Sequence, residues 1–308
     1  MFLFRLILKI IPKDLAISLL VIILSAIVFL FIGVGIGICV WGLDIFSSPE
    51  VFFNIENPQS INLLKLLQIF QSIGIFVVPP IILGYLFQKN IKSYLKLSFN
   101  PHFKTYILTV LIMIVSVPFI NLLAELNSKI AFPDFLSSIE QWMQQKEAEA
   151  TKITEAFLNV KTYSAFLLNV FMIAIIPAVG EEFLFRGVFQ RIFADWTKNI
   201  HLGIIISAFF FSAMHMQFYG FLPRMLMGVL FGYLFVWSGS IWIPILAHFI
   251  NNFCAILVSF FIYRGTLNKN VETFGNSSDT VVYAIMSIAI CIFLVYLFFN
   301  KRSRVSHL

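Results

Sequence analysis

Residues 178–187 read Ala-Val-Gly-Glu-Glu-Phe-Leu-Phe-Arg-Gly. They set two adjacent carboxylates, Glu181 and Glu182, directly behind the eighteen uncharged residues from Tyr163 to Gly180. An uncharged run of that length is close to the ~20 residues a helix needs to cross a bilayer. A charge at membrane depth costs at least ~2.5–3.5 kcal/mol for Asp, Lys or Arg at a helix centre on the insertion scale. Glu181, Glu182 and the nearby Arg186 therefore need polar partners. The candidates inside the neighbouring apolar runs are His215, with Phe211 one turn before it, then His248 and Asn252.

The rest of the chain has the same character. Of 308 residues 60% are hydrophobic and 12% charged, about half the charge of a soluble domain. The fold class that follows is all-α, a polytopic membrane protein forming a single integral membrane domain over residues 1–308. Runs of spanning length fall at Leu15–Leu43, Leu63–Phe87, Tyr106–Leu126, Tyr163–Phe193, His201–Phe218, Leu222–Trp237, Ile241–Tyr263 and Val281–Phe299. About eight transmembrane helices are expected, with kinks at Pro79-Pro80 and Pro118. A net charge of +6 does not argue for nucleic acid, because the basic residues sit at the ends of apolar runs. Arg5, Lys9 and Lys13 precede the first run. The next loop is acidic (Asp44, Glu50, Glu56) and the one after is basic (Lys89, Lys92, Lys96, Lys104). Lys301, Arg302 and Arg304 close the chain. With eight crossings every strongly basic segment lies on one side, so both termini are expected in the cytoplasm.

Cys39, Cys254 and Cys291 lie in apolar runs without metal-ligand spacing and read as packing residues. The first apolar run is too long for a signal peptide and reads as a retained span. The one sizeable loop, 127–162, is expected on the outer side. It holds a capping-box form, Ser137-x-x-Glu140, and a helical face with Ile139, Trp142 and Met143, suited to a helix on the membrane surface.

Spans four and five form a hairpin about the polar turn Asp195–Ile200. Glu181 stands fourteen residues before that turn and His215 fifteen after it, which is roughly 21–23 Å along either helix and would bring the two level. Glu182 and Arg186, at i and i+4, have the favourable order for a helical ion pair, which would leave Glu181 for chemistry. Phe211 and His215 share a face, as do His248 and Asn252; Asn251 points elsewhere. Polar groups in spanning helices face the bundle interior. A desolvated Glu181 can take a proton from a water that His215 also holds, while His248 and Asn252 donate to a developing oxyanion. A zinc site with Glu181, His215 and His248 as ligands is the rival assignment. His-Glu-x-x-His is absent, and the metal-free water mechanism is favoured. Non-catalytic binding of a peptide or lipid is a second function class. A proton or ion pathway is a third, ranked last because no paired Gly- or Pro-broken half-helices are evident.

These residues resemble the CPBP family, the CAAX-protease and bacteriocin-processing (Abi) membrane proteins that include type II CAAX prenyl endopeptidase. Its motifs appear here in order as Glu181-Glu182-x-x-x-Arg186, Phe211-x-x-x-His215 and His248-x-x-x-Asn252, within residues 163–263. The resemblance implies an intramembrane endopeptidase, glutamate-type or metalloprotease. In it Glu181 and His215 activate water, and His248 and Asn252 stabilise the oxyanion. It implies a peptide or membrane-protein substrate met in the lipid bilayer. The alternative is a non-catalytic role in bacteriocin self-immunity or regulation. The Phe-, Ile-, Lys- and Asn-rich composition suggests a bacterial cytoplasmic membrane, which argues against prenylated substrates.

Overall fold

The computed structural model describes residues 12–46, 54–130 and 132–300. All secondary structure among them is helical. The basic clusters expected to orient the termini (Arg5, Lys9, Lys301, Arg302, Arg304) and Glu50 lie outside the described residues. The helices are α1 (Lys13–Trp41), α2 (Pro58–Gln88), α3 (Ile91–Tyr94), α4 (Phe103–Ser128), α5 (Ser137–Leu158), α6 (Tyr163–Thr197), α7 (Ile200–Ala213), α8 (Phe221–Ser238), α9 (Trp242–Tyr263) and α10 (Val281–Asn300). Seven segments of the described residues are long and apolar enough to cross a membrane: α1, α2, α4, α6, α8 with its preceding turn, α9 and α10. The chain is thus a multi-pass membrane protein. The remaining expected span, the fifth, is the shorter apolar helix α7. It stops at Ala213 instead of Phe218, because Met216 turns into the left-handed region at φ 53° and ends the helical path.

Two compact units divide the chain. The first comprises residues 1–98 and 175–207, the second 99–174 and 208–308. In the first unit, α1 is almost uniformly apolar and approaches α2 through glycines. A Cβ at Gly33 would lie 3.2 Å from Phe70 Cβ, and one at Gly37 3.0 Å from Leu63 Cδ1. Small residues at four-residue spacing allow such close packing between helices in lipid, where apolar burial alone gives no drive to associate. Asn57 caps α2 by accepting from the Gln59 amide at 2.9 Å, and Pro58 fills the first helical position. Inside α2 the backbone widens to a π-helix at Ile73–Val77, just ahead of the buried pair Pro79-Pro80. Prolines supply no N–H to the preceding turn, and a wider turn is one way a helix accommodates that loss. The α6–α7 hairpin closes through Lys198 at φ 55°. Asn199 then accepts from the amides of His201 (2.9 Å) and Leu202 (3.2 Å) and so starts α7.

In the second unit a core of Leu108, Ile112, Met113, Phe231, Leu234, Ile243, Ala247 and Phe298 joins α4, α8, α9 and α10. Ser287 Oγ donates to the Val115 carbonyl at 2.5 Å, tying α10 to α4. Pro118 lies within α4, which keeps its helical path from Phe103 to Ser128. The first half of α6 packs on α9 through Val170, Ala174 and Ile256, with the Phe166 and Phe260 rings 4.7 Å apart. In α5, Met143 and Phe157 are buried while Ile139 and Trp142 are exposed. The capping box read at Ser137 does not form. Asp134–Leu136 make a 3-10 turn that runs straight into α5, so Ser137 already has helical geometry and its side chain caps nothing.

Like α2, α6 carries a proline-associated π segment, Val170–Ile175 ahead of Pro177, and a second at Phe183–Phe189. Both helices run on continuously through these segments, and π turns leave no compositional mark in the sequence.

Candidate active site

Glu181, Glu182 and Arg186 lie in the first unit; Phe211, His215, His248 and Asn252 lie in the second. In the first unit the stretch 178–187 is buried end to end except for a partly covered Val179. Gly180 lets the α6 backbone approach the π segment of α2: a Cβ there would fall 2.8 Å from Phe76 Cβ and 2.9 Å from Val77 Cγ2. Gly187 does the same against Leu95, at 2.7 Å. The two carboxylates are thus held on backbone seated tightly against its neighbours. Glu182 Oε1 and Arg186 Nη1 stand 2.9 Å apart, with side-chain exposures of 0% and 2%. A pair so fully withdrawn from water is stable only as a pair, because either charge left alone would carry the whole desolvation cost. Glu181 is 8% exposed. On α7, Ser207 Oγ donates to the Phe185 carbonyl at 2.9 Å, so the hairpin is tied beside this stretch.

In the second unit His215 lies two residues past the end of α7, in a turn. It nevertheless keeps its neighbour of the preceding turn. His215 Nδ1 is 2.9 Å from the Phe211 carbonyl, and the two rings are 5.4 Å apart. A carbonyl only accepts, so the bond requires the proton on Nδ1, and the neutral ring then offers Nε2 as an acceptor. Phe211 is also edge-on to His248 at 5.8 Å, and Phe231 stacks on that imidazole at 5.5 Å. One buried phenylalanine thus touches both histidines.

Asn252 donates from Nδ2 to the Ile173 carbonyl at 3.0 Å, and its Oδ1 accepts from Asn251 Nδ2 at 3.1 Å. Asn251, expected to point away, instead orients the amide of Asn252. Sequence reasoning also missed Arg224. Its guanidinium donates to Gln217 Oε1 (3.0 Å), the Gln217 carbonyl (2.8 Å) and the Gly220 carbonyl (3.2 Å), shaping the loop that follows His215. A lone arginine in an apolar run was the available signal. Asn127 clamps the same loop, donating to the Phe218 carbonyl at 2.9 Å and accepting from the Leu222 amide at 3.1 Å. From α5, Glu147 accepts from the Tyr219 amide at 3.3 Å.

Among the described residues no group of three or more His, Cys, Asp or Glu side chains is arranged to hold a metal ion.

Fold and buried polar groups together define a multi-pass helical membrane protein with buried ionisable residues in its apolar helices. Residues 163–254 match a protein-family model described as "Type II CAAX prenyl endopeptidase Rce1-like". The family resemblance read from the three motifs is borne out over that segment. A curated relative, "Uncharacterized protein YpbD" of Bacillus subtilis (strain 168), is 28% identical over 98 residues, covering 30% of this chain and 47% of the relative. The chain therefore spans about half the length of that relative. No solved structure matches.

Proposed function

We propose that the protein is an intramembrane endopeptidase. The observation that supports this reading is that the segment matching the CAAX-endopeptidase family, residues 163–254, contains all seven motif residues. Glu181 is the general base: it takes a proton from a water that His215 Nε2 also holds, and the resulting hydroxide attacks the peptide carbonyl. His248 and one N–H of the Asn252 amide donate to the tetrahedral oxyanion, and Glu181 returns its proton to the leaving amine as the C–N bond breaks. Glu182 and Arg186 neutralise one another, so the second carboxylate takes no proton from the reaction. The level placement of Glu181 and His215 rests on counting along the hairpin. The substrate class is a peptide or membrane protein entering from the bilayer of a bacterial cytoplasmic membrane, and both termini are cytoplasmic.

The test compares membrane peptidomes of cells carrying wild-type protein, Glu181→Gln and His215→Ala. Fragments present with the wild type should fall by on the order of 10²–10⁴-fold in either variant, with insertion and abundance unchanged. Equal fragment yields in all three would sink the protease reading.

A further inference from the structure

The polar contact of Asn252 has a cause in the sequence of the helix it touches. In an α-helix the carbonyl of residue i accepts from the N–H of residue i+4. For Ile173 that residue is Pro177, which has no N–H to give. Asn252 Nδ2 donates to this same carbonyl at 3.0 Å. The contact is aimed, because Asn251 holds the other end of the amide through Oδ1 at 3.1 Å and so turns the NH2 group toward Ile173. Around the missing bond the backbone runs as a π-helix over Val170–Ile175 before α-geometry resumes at Ile176. Proline breaks survive in spanning helices where a neighbouring side chain satisfies the freed backbone group, since no water is present to do so. Glu181 follows Pro177 by four residues, one helical turn.

We infer that Asn252 is a positioning residue: its amide replaces the N–H that Pro177 lacks and holds the break in α6 one turn ahead of Glu181. One N–H of the amide is committed to this bond, which leaves a single donor for any other use. The link to catalysis rests on the reading of Glu181 proposed above, whereas the hydrogen-bond replacement does not. It follows that Asn252 becomes dispensable for the stability of this turn once residue 177 can donate for itself.

The experiment is a double-mutant cycle in the full-length protein purified in detergent, with Asn252→Ala and Asn252→Leu each made in the Pro177 and Pro177→Ala backgrounds. Leucine has nearly the shape of asparagine and carries no donor. Both single variants at 252 should lower Tm by ~2 °C or more. In the Pro177→Ala background the same changes should lower it by less than half as much. Equal losses in both backgrounds, or no loss at all, would overturn the replacement. Cleavage is read in parallel from membrane peptidomes, with Glu181→Gln as zero. Fragments should fall on the order of 10²-fold in Asn252→Ala, the scale of a misplaced catalytic group, and recover in part in Pro177→Ala/Asn252→Ala, short of the wild type by the lost oxyanion donor. Recovery of Tm without recovery of fragments would overturn the positioning role and leave the amide as an oxyanion donor. If wild type and Glu181→Gln gave identical peptidomes, the protease reading would fail, while the thermal cycle would still decide the replacement.

Discussion

Arg186 and Glu182 form the most secluded ion pair among the described residues, at 2.9 Å. Removing one partner of such a pair costs about 3–5 kcal/mol, because the other charge stays behind in a dry site. Arg186→Ala should therefore sharply lower the thermal stability of the detergent-purified protein. Arg186→Met with Glu182→Leu should recover much of the loss, since no charge is then stranded. Lys146 and Glu149 have the same 2.8–2.9 Å geometry with both side chains more than 40% exposed. Lys146→Ala is expected to leave Tm unchanged. Tyr94 offers a pH test. Burial pushes its phenol up to about 12, against the opposing pull of Arg191, whose guanidinium sits 4.5 Å over the ring. A folded-state pKa above the unfolded value of ~10 stabilises the fold fully below pH ~10, and that contribution is lost as pH rises through about 12. Tyrosinate absorbance should show a phenol titrating at about 12 that Tyr94→Phe removes.

At the scale of elements, glycines decide which helices touch. Gly180→Ala would force its Cβ into Phe76 and Val77 at 2.8–2.9 Å. Overpacking of that kind typically costs 1–3 kcal/mol, so about that loss is expected in thermal unfolding. Gly35, on the same face-rich helix α1 as Gly33 and Gly37, has nothing within 4 Å of its would-be Cβ. Gly35→Ala should be neutral or slightly stabilising, since alanine is the better helix former by about 1 kcal/mol. The loop after α7 is held by Arg224 through three acceptors, and by Asn127 and Glu147 from other helices of the same unit. Asn127 shares neither an apolar period nor a motif with this loop. Its part in it could not be read along the chain, because a hydrogen bond to a residue 91 positions away leaves no local trace.

For the whole molecule, α7 sets the topology. At 14 residues it is about 21 Å long, short of the ~30 Å hydrocarbon core. Eight crossings, with α7 and its following turn counted as one, would put both termini on one side, and the positive-inside pattern makes the cytoplasm the expected one. Seven would separate them. Reporter fusions at the carboxyl end decide this: green fluorescence with inactive alkaline phosphatase is expected, and active phosphatase would mean that α7 does not cross. The positive-inside pattern supports the even number, since Lys89, Lys92, Lys96 and Lys104 share a side with the basic ends only then.

Apolar run length by itself determined that this protein is helical and membrane-embedded. Backbone groups in lipid must bond within their own segment, so some twenty uncharged residues admit few structures. The same cost of stranded charge made Glu181, Glu182, Arg186, His215, His248 and Asn252 visible as candidates. What the tertiary structure alone decided is which neighbour meets each irregularity. The bond from Asn252 to Ile173 and the close seat of Gly180 on the π segment of α2 depend on which neighbour supplies a donor or a gap. Those neighbours lie far along the chain, and sequence periodicity carries no information about them.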